Sequence, residues 1–169
     1  NSYIQKMLIY LKNKHKLIVG DFVFKCSLGK RGITKKKIEG DLKTPSGKFQ
    51  IGPIYYRNDR VPKLFTKLKK IKINKNFGWC NDVNSKNYNK KINISKKYKY
   101  EKLFRKDYKY DLLLPIKYNY NKAIPGKGSA IFLHLTKNYK PTAGCVAISK
   151  NNFLILLKLI NKKTKIIIS

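Results

Sequence analysis

Short runs of β-branched and aromatic residues, separated by glycine, proline, asparagine and aspartate, recur along the chain and limit its fold more than any other feature. Such short runs are typical of strands rather than of helices. The runs are 16–29, with a hairpin turn at Gly20-Asp21, then 49–56, 110–120, 130–135, 145–148 and 164–169. This pattern predicts a mainly β fold.

One stretch has helical periodicity instead. Apolar residues recur at helical spacing between about residues 150 and 162, and Ser149 precedes them as an N-cap. A weaker helical signal covers 99–107, within a polar, lysine-rich middle from residue 57 to 110. The length suits one compact domain. We therefore expect residues 1–169 to form a single mainly β domain with one well-formed helix before a C-terminal strand.

The charge of the chain is extreme, because 40 Lys and Arg against 8 Asp and Glu give a net charge of +32. Such a balance suggests nucleic-acid binding, since Lys and Arg neutralise phosphates. Yet only four of these cations are arginine, the residue that phosphate and base contacts favour. Lysine is abundant together with Asn, Ile, Tyr and Phe, all encoded by A/T-only codons. The composition therefore indicates an AT-rich genome rather than a dedicated nucleic-acid partner, although the charge should attract any anionic polymer.

Several other classes of protein are disfavoured by what the sequence lacks. No apolar run approaches the roughly 18 residues of a membrane-spanning helix, so we expect no transmembrane segment in this chain. The cysteines, Cys26, Cys80 and Cys145, show no CxxC or Cys/His spacing typical of a metal site. We expect no metal, no cofactor and a monomer. Cys26 and Cys80 are expected in the core, or paired in an oxidising compartment, and His15 on the surface.

One window, from residue 125 to 147, resists the bias toward Lys, Asn and Ile. It contains three of the four alanines of the chain together with several glycines and prolines. Small residues suit a tight turn with close backbone approach, which serves a packed corner and an oxyanion hole equally well.

The same window pairs a cysteine with one of the two histidines of the chain. His134 lies in the run 130–135, and Cys145 opens the run 145–148. If these runs are neighbouring strands, His134 can lie near Cys145 and stabilise its thiolate. The Ala143-Gly144-Cys145 turn would then offer N–H groups to an oxyanion. A buried strand cysteine and a structural histidine would look similar, so the residues alone leave both interpretations open.

The segment 131-IFLHLTKNYKPTAGCVAIS-149 resembles the catalytic signature of the L,D-transpeptidase (YkuD-type) family, in particular a subfamily with the pattern FLH…PT-x-GCVAL. Other segments match the same subfamily in the same order: 39-EGDLKTPSGKF-49, 55-YYRNDR-60, 78-GWCND-82 with Tyr88-Asn89, 110-YDLLL-114 and 125-PGKGSAIFLH-134. One such match would be weak, but six in order through nearly the whole chain are specific. The resemblance implies a β-sandwich-like YkuD-type fold.

The resemblance also implies a reaction and its residues. Members of this family make cell-wall cross-links or related amide exchanges in bacteria. Cys145 would attack the carbonyl on the L-centre of a diamino-acid residue in a peptidoglycan stem tetrapeptide, expelling D-alanine as a thioester forms. An amine on a second stem would resolve the acyl-enzyme, with His134 as general base and then acid. The N–H groups of Gly144 and Cys145 would hold the oxyanion in a turn shaped by Thr142 and Ala143.

The chain departs from the family pattern beside the cysteine. Many members have Ser-His-Gly-Cys followed shortly by arginine, whereas here Thr142-Ala143-Gly144-Cys145 is followed by Val146-Ala147. The arginine that would bind the substrate carboxylate is therefore missing, and the group that binds it is unassigned. Arg57 and Arg60 are candidate replacements, with an ordinary surface or structural role as the alternative. Trp79 is a candidate cleft wall or a core residue.

A further segment, with Gly40, Asp41, Thr44, Pro45 and Gly47, is expected to be a structural turn that borders the cleft rather than a source of catalytic groups.

Three functions remain open at this point. The first is L,D-transpeptidation, and the second is hydrolysis by the same site, as an L,D-carboxypeptidase or wall-peptide amidase. The third is a non-enzymatic basic module that binds anionic wall polymer or nucleic acid. The implied substrate predicts a location on the periplasmic or cell-wall side of a bacterial membrane. No signal peptide is visible in the sequence, and a cytoplasmic location stays open.

Overall fold

The computed structural model describes residues 7–12 and 15–169, and strands predominate within them. One sheet has five strands in the order β3-β2-β1-β15-β6. Its strands are β1 Leu8–Lys12, β2 Lys16–Val19, β3 Phe22–Lys25, β6 Gly47–Gln50 and β15 Lys165–Ile168. The predicted hairpin is confirmed, since β2 and β3 pair antiparallel on either side of Gly20-Asp21. The predicted C-terminal strand is confirmed as β15, whereas β1 was not among the runs singled out from the sequence.

A second five-stranded sheet carries the window of small residues. Its order is β14-β13-β12-β7-β8. Its strands are β7 Ile54–Tyr56, β8 Lys70–Lys72, β12 Leu112–Pro115, β13 Phe132–Leu135 and β14 Val146–Ile148. Strands β12, β13 and β14 are buried at every position, as the continuous apolar runs predict. Strands β13 and β14 are parallel neighbours.

Two smaller sheets complete the described residues. Strands β4 Ile33–Thr34 and β5 Thr44–Pro45 form a parallel pair. Strands β9 Phe77–Cys80, β10 Lys91–Asn93 and β11 Tyr100–Lys102 form a three-stranded sheet in the order β10-β9-β11. The weak helical signal over 99–107 does not correspond to a helix, because residues 100–102 pair antiparallel with β9 instead.

The predicted helix near the C-terminus is confirmed as α1, Lys150–Leu159, which ends three residues before the expected bound. Ser149 is the N-cap, and its side chain accepts a hydrogen bond from the backbone N–H of Asn152. Phe153, Leu156 and Leu157 are fully buried on one face.

The main core lies between the two five-stranded sheets and also receives the helix. Leu11 of the first sheet, Leu114 of the second and Phe153 of α1 belong to one buried cluster. A second cluster around Trp79 and Phe132 packs the three-stranded sheet against the other side of the second sheet. Each fully buried large apolar side chain contributes about 2 kcal/mol. The mainly β, sandwich-like fold expected from the sequence is thereby confirmed, and β13 and β14 are held from both faces.

Candidate active site

Cys145 and His134 line the same cleft, which has a cavity volume of about 170 Å³. His134 is on β13 and pairs in register with Ala147 on β14, while Cys145 directly precedes β14. The parallel register and the 136–144 connection therefore bring both side chains to one cleft, as the sequence predicts.

The thiol of Cys145 is held as a neutral group. Its Sγ donates to the carbonyl oxygen of Ala130 at 3.2 Å and accepts the N–H of Phe132 at 3.3 Å. Burial raises the pKa of the Cys145 thiol to about 12, and the negative charge of Glu101 acts in the same direction. The thiol is thus protonated at neutral pH, so attack by this sulfur requires a group that takes its proton.

His134 has the protonation state required to take the proton from the Cys145 thiol. Its Nδ1 lies 2.9 Å from the carbonyl oxygen of Leu135, which can only accept, so Nδ1 carries the proton. Its Nε2 is buried and has no hydrogen-bond partner among the described residues. Burial lowers the pKa of His134 to about 4, so the ring is neutral at pH 7. The result is an imidazole with a free lone pair at Nε2.

The turn before the cysteine is built around Thr142 and Gly144. Thr142 Oγ1 accepts the N–H of Gly144 at 3.1 Å and donates to the carbonyl oxygen of Cys145 at 2.5 Å. Gly144 has a φ of +145°, and a Cβ there would lie 2.9 Å from the carbonyl oxygen of Lys43, so the turn requires glycine. The Gly144 N–H, expected to bind an oxyanion, already donates to Thr142. The Cys145 N–H has no acceptor among the described residues and is the better placed donor.

Thr44 connects its own segment, which runs from Gly40 to Gly47, to this turn. The Thr44 hydroxyl is fully buried, donates to the carbonyl oxygen of Gly144 at 2.8 Å and accepts the N–H of Gly29 at 2.9 Å. Gly29 and Thr142 are in turn paired by a bridge. The segment expected to be a turn bordering the cleft therefore contacts the cysteine turn directly.

The residues just before this segment add two charged side chains to the cleft lining, Lys37 and Glu39. Lys37 is buried and forms an ion pair with Asp41. Glu39 accepts hydrogen bonds from the hydroxyls of Tyr88 and Ser129. These bonds fix the segment against the strand that leads to His134.

The two candidate substrate-binding arginines lie away from the cleft lining. Arg57 is 4% exposed, forms two hydrogen bonds with Asp59 and donates to the carbonyl oxygen of Arg105. Arg60 binds the carboxylate of Asp111 at 2.9 Å. Their donors connect the residues after β7 to the 104–111 loop.

Trp79 also lies outside the cleft lining. It is 1% exposed, its indole N–H donates to Asn89 Oδ1 at 2.9 Å, and its ring packs edge-on against Phe132 at 5.0 Å. Phe132 supplies the N–H that contacts the Cys145 sulfur. Trp79 therefore lies in the buried cluster that includes Phe132.

Besides Lys37 and Glu39, sequence reasoning missed two more charged residues of the cleft, Glu101 and Lys109. Glu101 lies on β11, in the stretch expected to be helical. A signal was present in the composition, since Glu39 and Glu101 are the only glutamates of the chain and both line the cleft.

The remaining cysteines and histidine lie elsewhere. Cys26 and Cys80 are buried and unpaired, so no disulfide joins them in this structure, and His15 is exposed. Within residues 7–12 and 15–169 no group of three or more His, Cys, Asp or Glu is arranged to hold a metal. Over the same residues, no helix has the length and apolar character needed to span a membrane.

Among comparisons with known proteins, the family model agrees with the sequence resemblance. The family model of the L,D-transpeptidase catalytic domain matches residues 4–168. Among solved structures, an L,D-transpeptidase from Mycobacterium smegmatis is similar at 12% sequence identity and a TM-score of 0.42. The match covers 97% of this chain and 58% of that protein, so the chain spans little more than half of its length. Comparison with curated proteins finds no significant match.

Proposed function

Because the chain belongs to the L,D-transpeptidase catalytic domain family, whose members are enzymes that act on peptidoglycan, we propose that it transfers acyl groups between peptidoglycan stem peptides through a thioester on Cys145. The observation that carries this proposal is a protonated thiol and a neutral imidazole with a free Nε2 on the lining of one cleft.

The first half of the reaction forms the thioester. His134 Nε2 takes the proton from Cys145 Sγ as the sulfur attacks the carbonyl carbon on the L-centre of the donor stem. The N–H of Cys145 donates to the oxygen that becomes negative. When the C–N bond breaks, protonated His134 gives its proton to the leaving amine of D-alanine.

The second half transfers the acyl group to the acceptor stem. The acceptor amine attacks the thioester carbonyl, His134 removes a proton from the attacking nitrogen, and the C–S bond breaks. The proton then returns from His134 to the sulfur, so the resting state is restored with no net gain or loss of protons.

The charge states of Cys145 and His134 before the substrate binds suit this order of steps. A thiol pKa of about 12 and an imidazole pKa of about 4 mean that neither group is charged before the substrate binds. Proton transfer must therefore accompany the attack, and His134 is a weak base that returns the proton readily to the leaving group.

The substrate class also implies a location and a partner. We expect the enzyme to act on the periplasmic or cell-wall side of a bacterial membrane, where stem peptides are found. The net charge of +32 favours association with anionic wall polymers through long-range attraction.

Mass spectrometry of muropeptides tests the proposal. Purified protein incubated with disaccharide tetrapeptides should produce cross-linked dimers and free D-alanine, and the Cys145→Ala variant should produce neither. Shortened stems without dimers would identify a hydrolase and reject transfer. Salt-sensitive binding that is unchanged in Cys145→Ala, with no product at all, would indicate a non-enzymatic basic module.

A further inference from the structure

A second cavity, with a volume of about 420 Å³, shares no lining residue with the catalytic cleft. It is lined by residues 27–32 together with His15, Tyr139 and Pro141. None of these described residues is acidic, whereas two glutamates line the catalytic cleft. The cavity is therefore a separate basic site, and the acylation chemistry proposed above does not use it.

Arg31 distinguishes this cavity from the lysine-rich surface around it. The other three arginines each form an ion pair with an aspartate: Arg57 with Asp59, Arg60 with Asp111 and Arg105 with Asp107. The guanidinium of Arg31 is exposed and makes no hydrogen bond or ion pair with the described residues. A guanidinium offers a planar fork of donors that fits two oxygens of one anion. Arg31 is thus free to bind an anion that enters the cavity.

Other donors lie close to Arg31. Lys30 is the next lining residue along the chain and is also exposed. Ser27 is only 6% exposed, and its hydroxyl has no hydrogen-bond partner among the described residues. A buried hydroxyl without a partner is costly, and an oxygen of a ligand would satisfy it. Lys25 adds a further cation at the edge, since its ammonium lies 4.3 Å from the ring centre of Tyr139.

The backbone of this cavity is fixed to the strand and the turn that carry the catalytic cysteine. Ser27 and Ala147 on β14 exchange both of their backbone hydrogen bonds. The carbonyl oxygen of Leu28 accepts the N–H of Thr142, and the N–H of Lys30 donates to the carbonyl oxygen of Thr142. The fold therefore sets the positions of the donors before a ligand binds, which lowers the entropic cost of binding.

We propose that this cavity binds a phosphodiester group of an anionic cell-wall polymer. The fork of Arg31 donates to the two charged oxygens, Lys30 adds a second positive charge, and the hydroxyl of Ser27 donates from the buried side. The four oxygens of a phosphodiester point to the corners of a tetrahedron, so they can meet donors from the exposed and the buried side at once. A carboxylate offers only two oxygens in one plane.

A polymer suits the site better than a single small anion. The lysines on either side of the bound group, Lys25 and Lys30, can attract the next phosphates of the same chain. An enzyme held in this way stays among its peptide substrates, which raises their effective concentration at the cleft. The choice of a wall polymer rests on the location given under the proposed function, whereas the phosphate site itself does not depend on the acylation chemistry.

Isothermal titration calorimetry measures the affinity of the purified protein for a poly(glycerol phosphate) oligomer. The salt concentration is about 0.15 M, where the Debye length is about 8 Å and long-range attraction is weak. Poly-L-glutamate with the same number of charges and inorganic phosphate are the comparison ligands. Amide NMR spectra verify that each variant is folded, and the signals of Gly29 and Gly32, which line the cavity, locate the bound oligomer.

The decisive variant is Arg31→Lys, which keeps the charge of the cavity but loses the fork of donors. It should bind the oligomer about ten-fold more weakly than wild type does. The control is the double variant Lys96→Gln/Lys97→Gln, which removes two exposed charges outside the cavity. Its affinity should change by less than about two-fold at this salt concentration. Wild type should bind the oligomer more tightly than poly-L-glutamate and shift the signals of Gly29 and Gly32.

Several results would overturn the proposal. Equal affinity of Arg31→Lys and wild type, equal binding of poly-L-glutamate, or unshifted Gly29 and Gly32 signals would indicate general attraction to a basic surface. Binding of inorganic phosphate without binding of the oligomer would identify a site for free phosphate and reject the polymer.

The proposed function is tested separately from this site. Acylation of Cys145, measured by intact mass, should be as fast in Arg31→Lys as in wild type, because the side chain of Arg31 does not line the catalytic cleft. Failure of wild type to be acylated would reject the proposed function, whereas the calorimetric results decide on the phosphate site alone.

Discussion

Replacing Thr44 with valine removes one hydroxyl and changes the side-chain volume little, and its effect should reach the cysteine turn 100 residues away. The hydroxyl both donates to the carbonyl oxygen of Gly144 and accepts the N–H of Gly29. Valine would leave these two buried groups unpaired, at a cost of about 1–3 kcal/mol each. We expect the free energy of unfolding to fall by about 3 kcal/mol.

The activity should fall as well, because the Gly144–Cys145 peptide carries the N–H proposed to bind the oxyanion. Removal of one such donor costs about 100-fold in related chemistry, and a misplaced donor should cost at least about ten-fold. Urea unfolding gives the stability, and intact mass gives the acylation rate of Cys145 under conditions in which the variant is folded.

Thr34→Val is a matched control for this prediction. Thr34 Oγ1 accepts one hydrogen bond, from the N–H of Lys36 in an exposed turn. Its loss should cost less than about 1 kcal/mol and leave acylation unchanged. If folded Thr44→Val is acylated as fast as wild type, Thr44 does not position the cysteine turn. If its stability is also unchanged, the two buried hydrogen bonds do not have the assigned energies.

Three further predictions concern titration and the buried arginine. The folded pKa of His134 is about 4 against an ordinary value of 6.5, so the unfolded state binds more protons between these values. Stability should fall by about 3 kcal/mol from pH 7 to pH 4, and His134→Gln should remove most of this dependence in urea titrations. Alkylation of Cys145 by iodoacetamide should rise about ten-fold per pH unit from pH 7 to 9, since the thiol pKa is about 12; a plateau near neutral pH would contradict a neutral thiol. Arg57→Lys should lower the free energy of unfolding, because lysine cannot donate at once to Asp59 and to the carbonyl oxygen of Arg105, but should leave acylation unchanged; slower acylation of the folded variant would point to a role in the cleft.

The strands of the second sheet could be predicted from the sequence because their residues are buried on both faces. Leu112–Pro115 and Val146–Ile148 are continuous apolar runs, and Phe132–Leu135 is apolar except for His134. Ser149 and the helical spacing after it predicted the helix for equally local reasons.

The middle of the chain could not be predicted in the same way. Lys91–Asn93 and Tyr100–Lys102 are three-residue strands with exposed outer positions, so they show no apolar pattern. They are strands because both pair with Phe77–Cys80, whose tryptophan packs into the core. Tertiary pairing decides the structure there, and it also brings Glu101 to the cleft.

The details of the site depend on contacts between distant segments. The hydroxyl of Thr44 and the carbonyl of Gly144 are far apart in sequence, so only the folded chain shows that the first supports the second. Arg57 and Arg60 stand out from the lysine-rich background, yet that signal does not distinguish a substrate-binding cation from a structural one. Only the folded chain shows that both arginines donate to the 104–111 loop.

Acylation of a single cysteine tests the central claim most directly. The protein is incubated with a donor stem peptide or a carbapenem, a β-lactam that acylates nucleophilic thiols, and the adduct is located by intact mass and peptide mapping. We predict one adduct on Cys145, absent in Cys145→Ser and formed at least about 100-fold more slowly in His134→Ala. Equal labelling of Cys26 and Cys80, or an unchanged rate in His134→Ala, would contradict an activated nucleophile at this site.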